Sequence, residues 1–354
     1  MYDRMIAELK SELEPIQFVS QDEVFSYFIQ YVENADELRK MISYGFFRFE
    51  YQRVKLCFKD TIFEEGICAI VQTFHVAMKE HLEECKPYLK EFAIRIAKGS
   101  ANISRMRFLS TERRPQRLDL FAKDVLRDIA EMIENSIQPY LNMFYQVLRI
   151  VEGKGNNPKP KLGNIVRELT KDELFRMLYC DLTFGENIAR WRNAYEHGSY
   201  RTEQDKIIVQ FEDDEVVLER NELQRVLIIV DWLLAMHKTS YMLFTVDYGN
   251  FIKVENISEM TDANSLQDII VMHIAEASSM YSCWLESFSE ENRLIIISMQ
   301  NVDVPRDEIT KLLNIITLIT RNTYKIILCY DGKVHYATKP VGNGYECTVF
   351  GQHE

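Results

Sequence analysis

The sequence predicts a mainly α protein in three parts: a helical N-terminal region (1–116), a central helical bundle (117–238) and a C-terminal α+β domain (239–354). Three observations lead there. The chain has 354 residues, more than one compact domain usually holds. Its first two thirds place apolar residues at helical spacing, most clearly at 118, 121, 122, 125, 126, 129, 132, 133, 137, 141, 144, 148 and 151. Its last third changes to short β-branched and aromatic runs separated by turn residues.

In the N-terminal region, Ser20-Gln21-Asp22-Glu23 is a capping-box signature, followed at helical spacing by Val24, Phe25, Phe28 and Tyr31. A second helix is predicted from Phe63 to about Glu84, with Ile67, Ile70, Val71, Phe74 and Met78 on one stripe. The aromatic cluster Phe46, Phe47, Phe49 and Tyr51 is expected to pack in the core or between domains.

The central part opens with a long amphipathic helix from Leu118 to Val151, bent or broken at Pro139. Residues 152–161 form a loop whose glycines are no phosphate loop, because no Gly-Lys-Ser/Thr closes it and no strand precedes it. A short helix, Leu162–Leu169, comes next, and Thr170-Lys171-Asp172-Glu173 caps another through Tyr179. A helix from about Glu186 ends at Gly198, a residue suited to the left-handed position after a helix. Ile207–Phe211 and Val216–Leu218 flank the acidic turn Glu212-Asp213-Asp214-Glu215 as a hairpin, and Asn221 caps a buried helix, Glu222–His237.

In the C-terminal part, strands are predicted at Met242–Val246, Phe251–Val254, Leu294–Met299, Ile326–Tyr330, Val334–Ala337 and Cys347–Phe350. Helices near Leu266–Met280 and Arg306–Thr320 interleave with them, and Asp331-Gly332 marks a tight hairpin.

Composition restricts function. A net charge of −12 argues against broad electrostatic binding of nucleic acid, so any such chemistry needs a local basic site. The seven cysteines are scattered, odd in number and without a Cys-x-x-Cys pair, which fits reduced thiols in a cytoplasm and no zinc site. The N-terminus is charged and amphipathic, unlike a signal peptide. The longest apolar run, Val226–Met236, is interrupted by Asp231 and is too short to span a bilayer, so a soluble cytoplasmic protein without a membrane partner is expected.

One constellation carries chemistry: Arg192-Asn193-Ala194-Tyr195-Glu196-His197, followed by Gly198. A bare Arg-x4-His is weak, but here a polar residue follows the arginine, a small one follows the histidine, and the motif ends a helix preceded by a long helix, a loop and two short helices. This order resembles the HEPN superfamily, in the version found in abortive-infection and toxin proteins. Leu162–Leu169 is similar to the short helix such domains carry before the motif. The resemblance covers roughly 118–238, so the central bundle is read as HEPN-like.

The resemblance implies a metal-independent endoribonuclease without cofactor, with Arg192 and His197 catalytic and Asn193 supporting them. It further implies a growth-arresting effector in antiviral defence or a toxin system, with a possible inhibitory or activating protein partner. The chemistry agrees. RNA carries its own nucleophile, the 2′-OH, so the enzyme needs a proton acceptor, a proton donor and charge stabilisation. A histidine near neutral pH serves the first two needs and an arginine fork the third. At the carboxyl end of its helix, His197 meets the negative end of the dipole, which favours the imidazolium.

Five residues along a helix amount to about 500° of rotation and about 7.5 Å of rise, so Arg192 and His197 diverge. HEPN domains resolve this by pairing, which implies a homodimer here, with Ile188, Trp191 and Tyr195 expected to supply apolar contact. Ser199 and Tyr200 put a tyrosine three residues after the histidine, rather than the two of toxins modified by a nucleotidyltransferase.

Candidate RNA contacts are Arg190 on the motif helix and Arg105, Arg107, Arg113 and Arg114 of a basic run that also includes Arg117, a run that an acidic partner or a solvated loop explains equally well. His75 and His81, six apart, have the wrong spacing for shared metal ligands. Two other functions fit the same residues: a non-catalytic HEPN module for RNA binding or assembly, and a helical scaffold with a ligand-sensing C-terminal domain.

Overall fold

A computed structural model describes residues 20–43, 47, 50–51, 54–55, 61–89, 91–93, 95–96, 117–155, 157, 160–212, 214–249, 274, 284–291, 294–300, 316, 325–330, 333–341 and 344–349. The described part is mainly helical. The first helix, α1 (Gln21–Phe28), starts where the sequence places it: the Ser20 hydroxyl accepts from the Glu23 amide at 3.2 Å, and Val24 and Phe28 turn inward. A second helix, α2 (Ala35–Ser43), is held at its start by Asp247, whose carboxylate accepts from the amides of Glu33 and Asn34 at 3.0 and 2.7 Å. The next, α3 (Ile62–Glu80), buries the predicted stripe but ends at His81, short of Glu84; residues 82–89 are again helical. Phe47 and Tyr51 are buried as expected, with Phe47 5.1 Å from Phe28, while Phe46 and Phe49 lie outside the described residues.

The long central helix is broken, and the break has a specific form. It runs as α4 (Leu118–Met132), a π-helical segment Ile133–Ile137, and α5 (Gln138–Val151), with Pro139 in the first turn of α5. Proline has no N–H to donate, and its ring crowds the carbonyl four residues earlier. A wider π turn just upstream accommodates both.

Then come α6 (Leu162–Leu169), α7 (Glu173–Tyr179) and α8 (Ile188–Glu196). The cap of α7 is Asp172 and not Thr170: its carboxylate accepts from the amides of Leu174 and Phe175 at 2.9 and 3.3 Å. Three antiparallel strands follow, β1 (Tyr200–Glu203), β2 (Lys206–Phe211) and β3 (Asp214–Leu218), in the order β1-β2-β3. Sequence reading finds the β2–β3 hairpin but misses β1, which is short, polar and outward-facing at alternate positions.

The last helix of this part, α9 (Arg220–Tyr248), corrects two expectations, its cap and a predicted strand. Its N-terminus is a capping box of Glu219 and Glu222, not a cap by Asn221; the Glu222 carboxylate accepts from the Glu219 amide at 2.7 Å. Residues 242–246 are helical rather than a strand, because the apolar run there packs on other helices, with Phe244 4.7 Å from Phe74. The run Val226–Met236 lies within this 29-residue helix, which is long and apolar enough by length and composition to cross a membrane, and 67% of its apolar window is buried inside the protein. The expected domain boundary at 238/239 falls inside this helix.

One buried cluster extends from Val24 to Val246, so α1–α3 share their core with the central helices. At its centre α3 and α9 cross at Gly66, where a Cβ would stand 2.5 Å from Met236 Sδ and 3.0 Å from Leu178 Cδ1. Further on, β4 (Trp284–Glu291), β5 (Leu294–Gln300), β6 (Lys325–Tyr330), β7 (Lys333–Val341) and β8 (Gly344–Val349) form one sheet in sequential order. It is antiparallel except for the parallel pair β5/β6. The strands on either side of Asp331-Gly332 pair as the predicted hairpin requires. Sequence reading misses β4, and the predicted strand Phe251–Val254 lies outside the described residues. So do the helices predicted at 266–280 and 306–320, except for Ile274 and Ile316, both helical and buried.

Candidate active site

The motif lies on α8, a helix with one face committed to the core. Ile188, Ala189, Trp191 and Ala194 are buried, and Asn187 caps the start by accepting from the Arg190 amide at 3.1 Å. Trp191 is fully enclosed: its indole N–H donates to the Thr183 carbonyl at 3.1 Å and its ring meets Phe211 edge-on at 5.1 Å. This corrects the expectation that Ile188 and Trp191 are available to a second copy of the chain. Both are spent inside their own protomer, since a short helix flanked by a sheet and a long helix needs those positions to hold it. Only Tyr195 of the three stays half-buried.

The end of α8 is fixed as firmly as its face. His197 is the last residue of the helical turn, and Gly198 takes the left-handed conformation, φ 61°. The Gly198 amide donates to the Tyr195 carbonyl at 3.1 Å and the Ser199 amide to the Ala194 carbonyl at 2.9 Å, a Schellman closure. On the far side the Gln210 amide donates to the Ser199 carbonyl at 2.8 Å, tying the turn to β2. The His197 backbone is therefore held from both sides, while its side chain is exposed and has no hydrogen bond among the described residues.

Arg192 and Asn193 leave the same helix on its outer side. Arg192 is mostly covered, 23% exposed, and Asn193 is exposed. The Arg192 Nη1 donates to Asn193 Oδ1 at 3.1 Å and to Glu196 Oε2 at 2.6 Å. Its Nε is buried without a hydrogen-bond acceptor, and Glu134 Oε2, on the π segment, stands 4.0 Å away. Burial, with the neighbouring Glu196 carboxyl, raises the pKa of Glu134, and the Arg192 guanidinium acts against that rise. The site is thus a guanidinium set among two carboxyls and an amide, with an unpartnered imidazole one residue past the nearer carboxyl. No contact joins Arg192 to His197, in keeping with their divergence on the helix.

Sequence reading named Arg192, Asn193 and His197 but neither glutamate. The Glu196 pairing was legible, four residues after Arg192 on a helix. Glu134 was not: its approach depends on the π segment, which no local pattern announces.

The other candidates lie elsewhere. Arg190 is paired with Glu186 at 2.9 Å and with Glu212 at 3.3 Å. Arg105, Arg107, Arg113 and Arg114 lie outside the described residues. His75 bonds the Tyr248 hydroxyl and the Tyr31 carbonyl at 3.1 and 3.2 Å, a bracing contact between α3 and α9. An open cleft of about 600 Å³ lies between α3, α5 and the α6–α7 turn, and no motif residue lines it. Its rim cations Lys154 and Lys171 are paired with Glu152 and Glu168, each at 2.8 Å. Among the described residues no group of three or more His, Cys, Asp or Glu side chains is placed to hold a metal ion.

Deep in the bundle, His237 stacks between Tyr140 and Tyr179, with ring centres 6.3 and 6.0 Å away, and shares a 3.0 Å hydrogen bond with the Tyr179 hydroxyl. Burial depresses its pKa to about 3 and raises that of Tyr179, so the pair is neutral and structural.

Comparison of the chain with protein-family models, with curated proteins and with solved structures finds no match.

Proposed function

We propose that this chain is a metal-independent endoribonuclease of the HEPN type that cleaves RNA through its own 2′-OH. One observation carries the reading: Arg192, braced by Asn193, and the exposed His197 project in different directions from one short helix whose inner face and end are tied to the rest of the protein. In the proposed reaction an imidazole takes the 2′-OH proton as the oxygen attacks phosphorus. The 5′-oxygen leaves and takes a proton from an acid, and Arg192 balances charge on the phosphate.

Because Arg192 and His197 diverge and the chain has one such motif, the working site is proposed to form between two copies. With Ile188 and Trp191 internal, the contact would use Tyr195 and the polar end of α8. The proposed setting is cytoplasmic, as a growth-arresting effector in antiviral defence or a toxin system, under control of a protein partner. The pairing of Arg192 with Glu196 favours a second reading, a non-catalytic module for RNA binding or assembly.

The test is incubation of purified protein with RNA in excess EDTA, beside Arg192→Ala and His197→Ala. The proposal expects cleavage by the parent protein and none by either variant. Cleavage lost in EDTA, or retained in full by either variant, rejects it and leaves the second reading.

A further inference from the structure

The arginine that the proposed mechanism needs for phosphate is already engaged. Its Nη1 donates to a carboxylate at 2.6 Å, and its Nε points into the protein toward a second carboxyl at 4.0 Å. We propose that Glu196 is a built-in competitor for the Arg192 guanidinium, so that substrate phosphate binds only by displacing it and Glu196 sets the affinity of the site for RNA. This rests on the ribonuclease reading for the identity of the ligand, but not for the competition itself.

Three features separate this contact from an ordinary surface ion pair. First, it is partly desolvated: Arg192 is 23% and Glu196 35% exposed, so the charges are screened less than those of an exposed pair. Second, Glu196 occupies the last residue of α8, where the negative end of the helix dipole disfavours a carboxylate. Arginine preceding glutamate by four residues is also the less favourable order for such a pair. The helix therefore gains little from Glu196, and the contact is better explained by what it does to Arg192. Third, part of the guanidinium is turned inward: Nε is buried and faces Glu134, while Nη1 is held by Glu196. Glu196 thus occupies Nη1, one of the nitrogens that a phosphate would grip. Asn193, on the same Nη1 at 3.1 Å, holds the guanidinium in place without competing for its charge.

Glu134 has a different part. It stands too far from Nε for a hydrogen bond, and it reaches the site only through the π segment ahead of Pro139. Burial and the neighbouring Glu196 carboxyl favour its neutral form, so it weighs on the arginine less than Glu196 does.

The test uses the full chain and an RNA oligonucleotide carrying 2′-O-methyl groups throughout, which binds but cannot be cut through its 2′-oxygen. Affinity is measured at fixed salt for the parent, Glu196→Gln, Glu134→Gln, Arg192→Ala and the double variant Arg192→Ala/Glu196→Gln. Glutamine keeps the size and removes the charge, and Glu196 is exposed enough for the variant to fold. The proposal expects Glu196→Gln to bind about tenfold tighter, the worth of one modest charge-assisted contact, and Glu134→Gln to gain less. It expects no gain in the double variant, since the competition needs its arginine. Unchanged or weaker binding by Glu196→Gln overturns the proposal, as does an equal gain in the double variant. Cleavage of ordinary RNA in EDTA, assayed alongside, keeps the two readings apart. Cleavage without tighter binding fails the competition alone, and tighter Arg192-dependent binding without cleavage fails the ribonuclease alone.

Discussion

Acidification from pH 7 to pH 5 is expected to destabilise the bundle by about 2 kcal/mol through His237 alone. The imidazole is fully buried against Tyr140 and Tyr179, and its pKa falls from 6.5 to about 3. Between those values the unfolded chain binds one proton that the folded chain refuses, so stability rises with pH across that window. The contribution is complete above pH 6.5 and is lost as pH falls toward 3. Over a full unit inside the window the slope is about 1.4 kcal/mol per pH unit, and near pH 6.5 it is partial, which gives about 2 kcal/mol between pH 7 and pH 5. Urea unfolding of the parent and of His237→Gln at pH 5, 6 and 7, followed by tryptophan fluorescence, reads this directly. Glutamine can still bond the Tyr179 hydroxyl but does not titrate, so carboxylates common to both proteins cancel in the comparison. The parent should lose about 2 kcal/mol more than the variant between pH 7 and pH 5. Equal pH dependence would mean that His237 takes up a proton in the folded state, and the account of that pair would be wrong.

Two further predictions concern packing. Gly66→Ala places a methyl 2.5 Å from Met236 Sδ and 3.0 Å from Leu178 Cδ1 at the α3–α9 crossing, and should cost about 1–3 kcal/mol in urea unfolding. Gly198→Ala meets no atom within 4 Å but must adopt a φ of 61°, so its cost should come from the backbone alone, about 1 kcal/mol. A much larger loss there would point to contacts of the turn beyond those described. If two imidazoles serve as base and acid, the rate of RNA cleavage should pass through a maximum near neutral pH, and a steady rise beyond pH 9 would indicate another base.

The helical architecture was legible wherever the apolar stripe was long and the caps strong, as at Ser20 and along 118–151. It failed where tertiary contact overrode local preference. Residues 242–246 have the composition of a strand, yet Leu243, Phe244 and Val246 are buried on a helix that packs against α3. Helix starts were misplaced by two residues at Asp172 and Glu219, because an acidic cap resembles an acidic first turn until its hydrogen bonds are seen. β1 escaped because a four-residue polar strand has no periodicity to read. At the candidate site, Arg192, Asn193 and His197 could be picked out from order and residue type. The surroundings that decide how Arg192 behaves could not, since Glu134 reaches it across a π turn from a residue 58 positions away.

If the 2′-oxygen of the substrate is the nucleophile, as proposed, the ends of the products report it. A defined RNA is incubated with the protein in EDTA, with a matched RNA bearing one 2′-O-methyl group at the cut site alongside, and the termini are identified by mass spectrometry. Attack by the 2′-oxygen leaves a 2′,3′-cyclic phosphate on one fragment and a 5′-hydroxyl on the other, with the methylated position uncut. Fragments carrying a 5′-phosphate, or cutting at the methylated position, would contradict it.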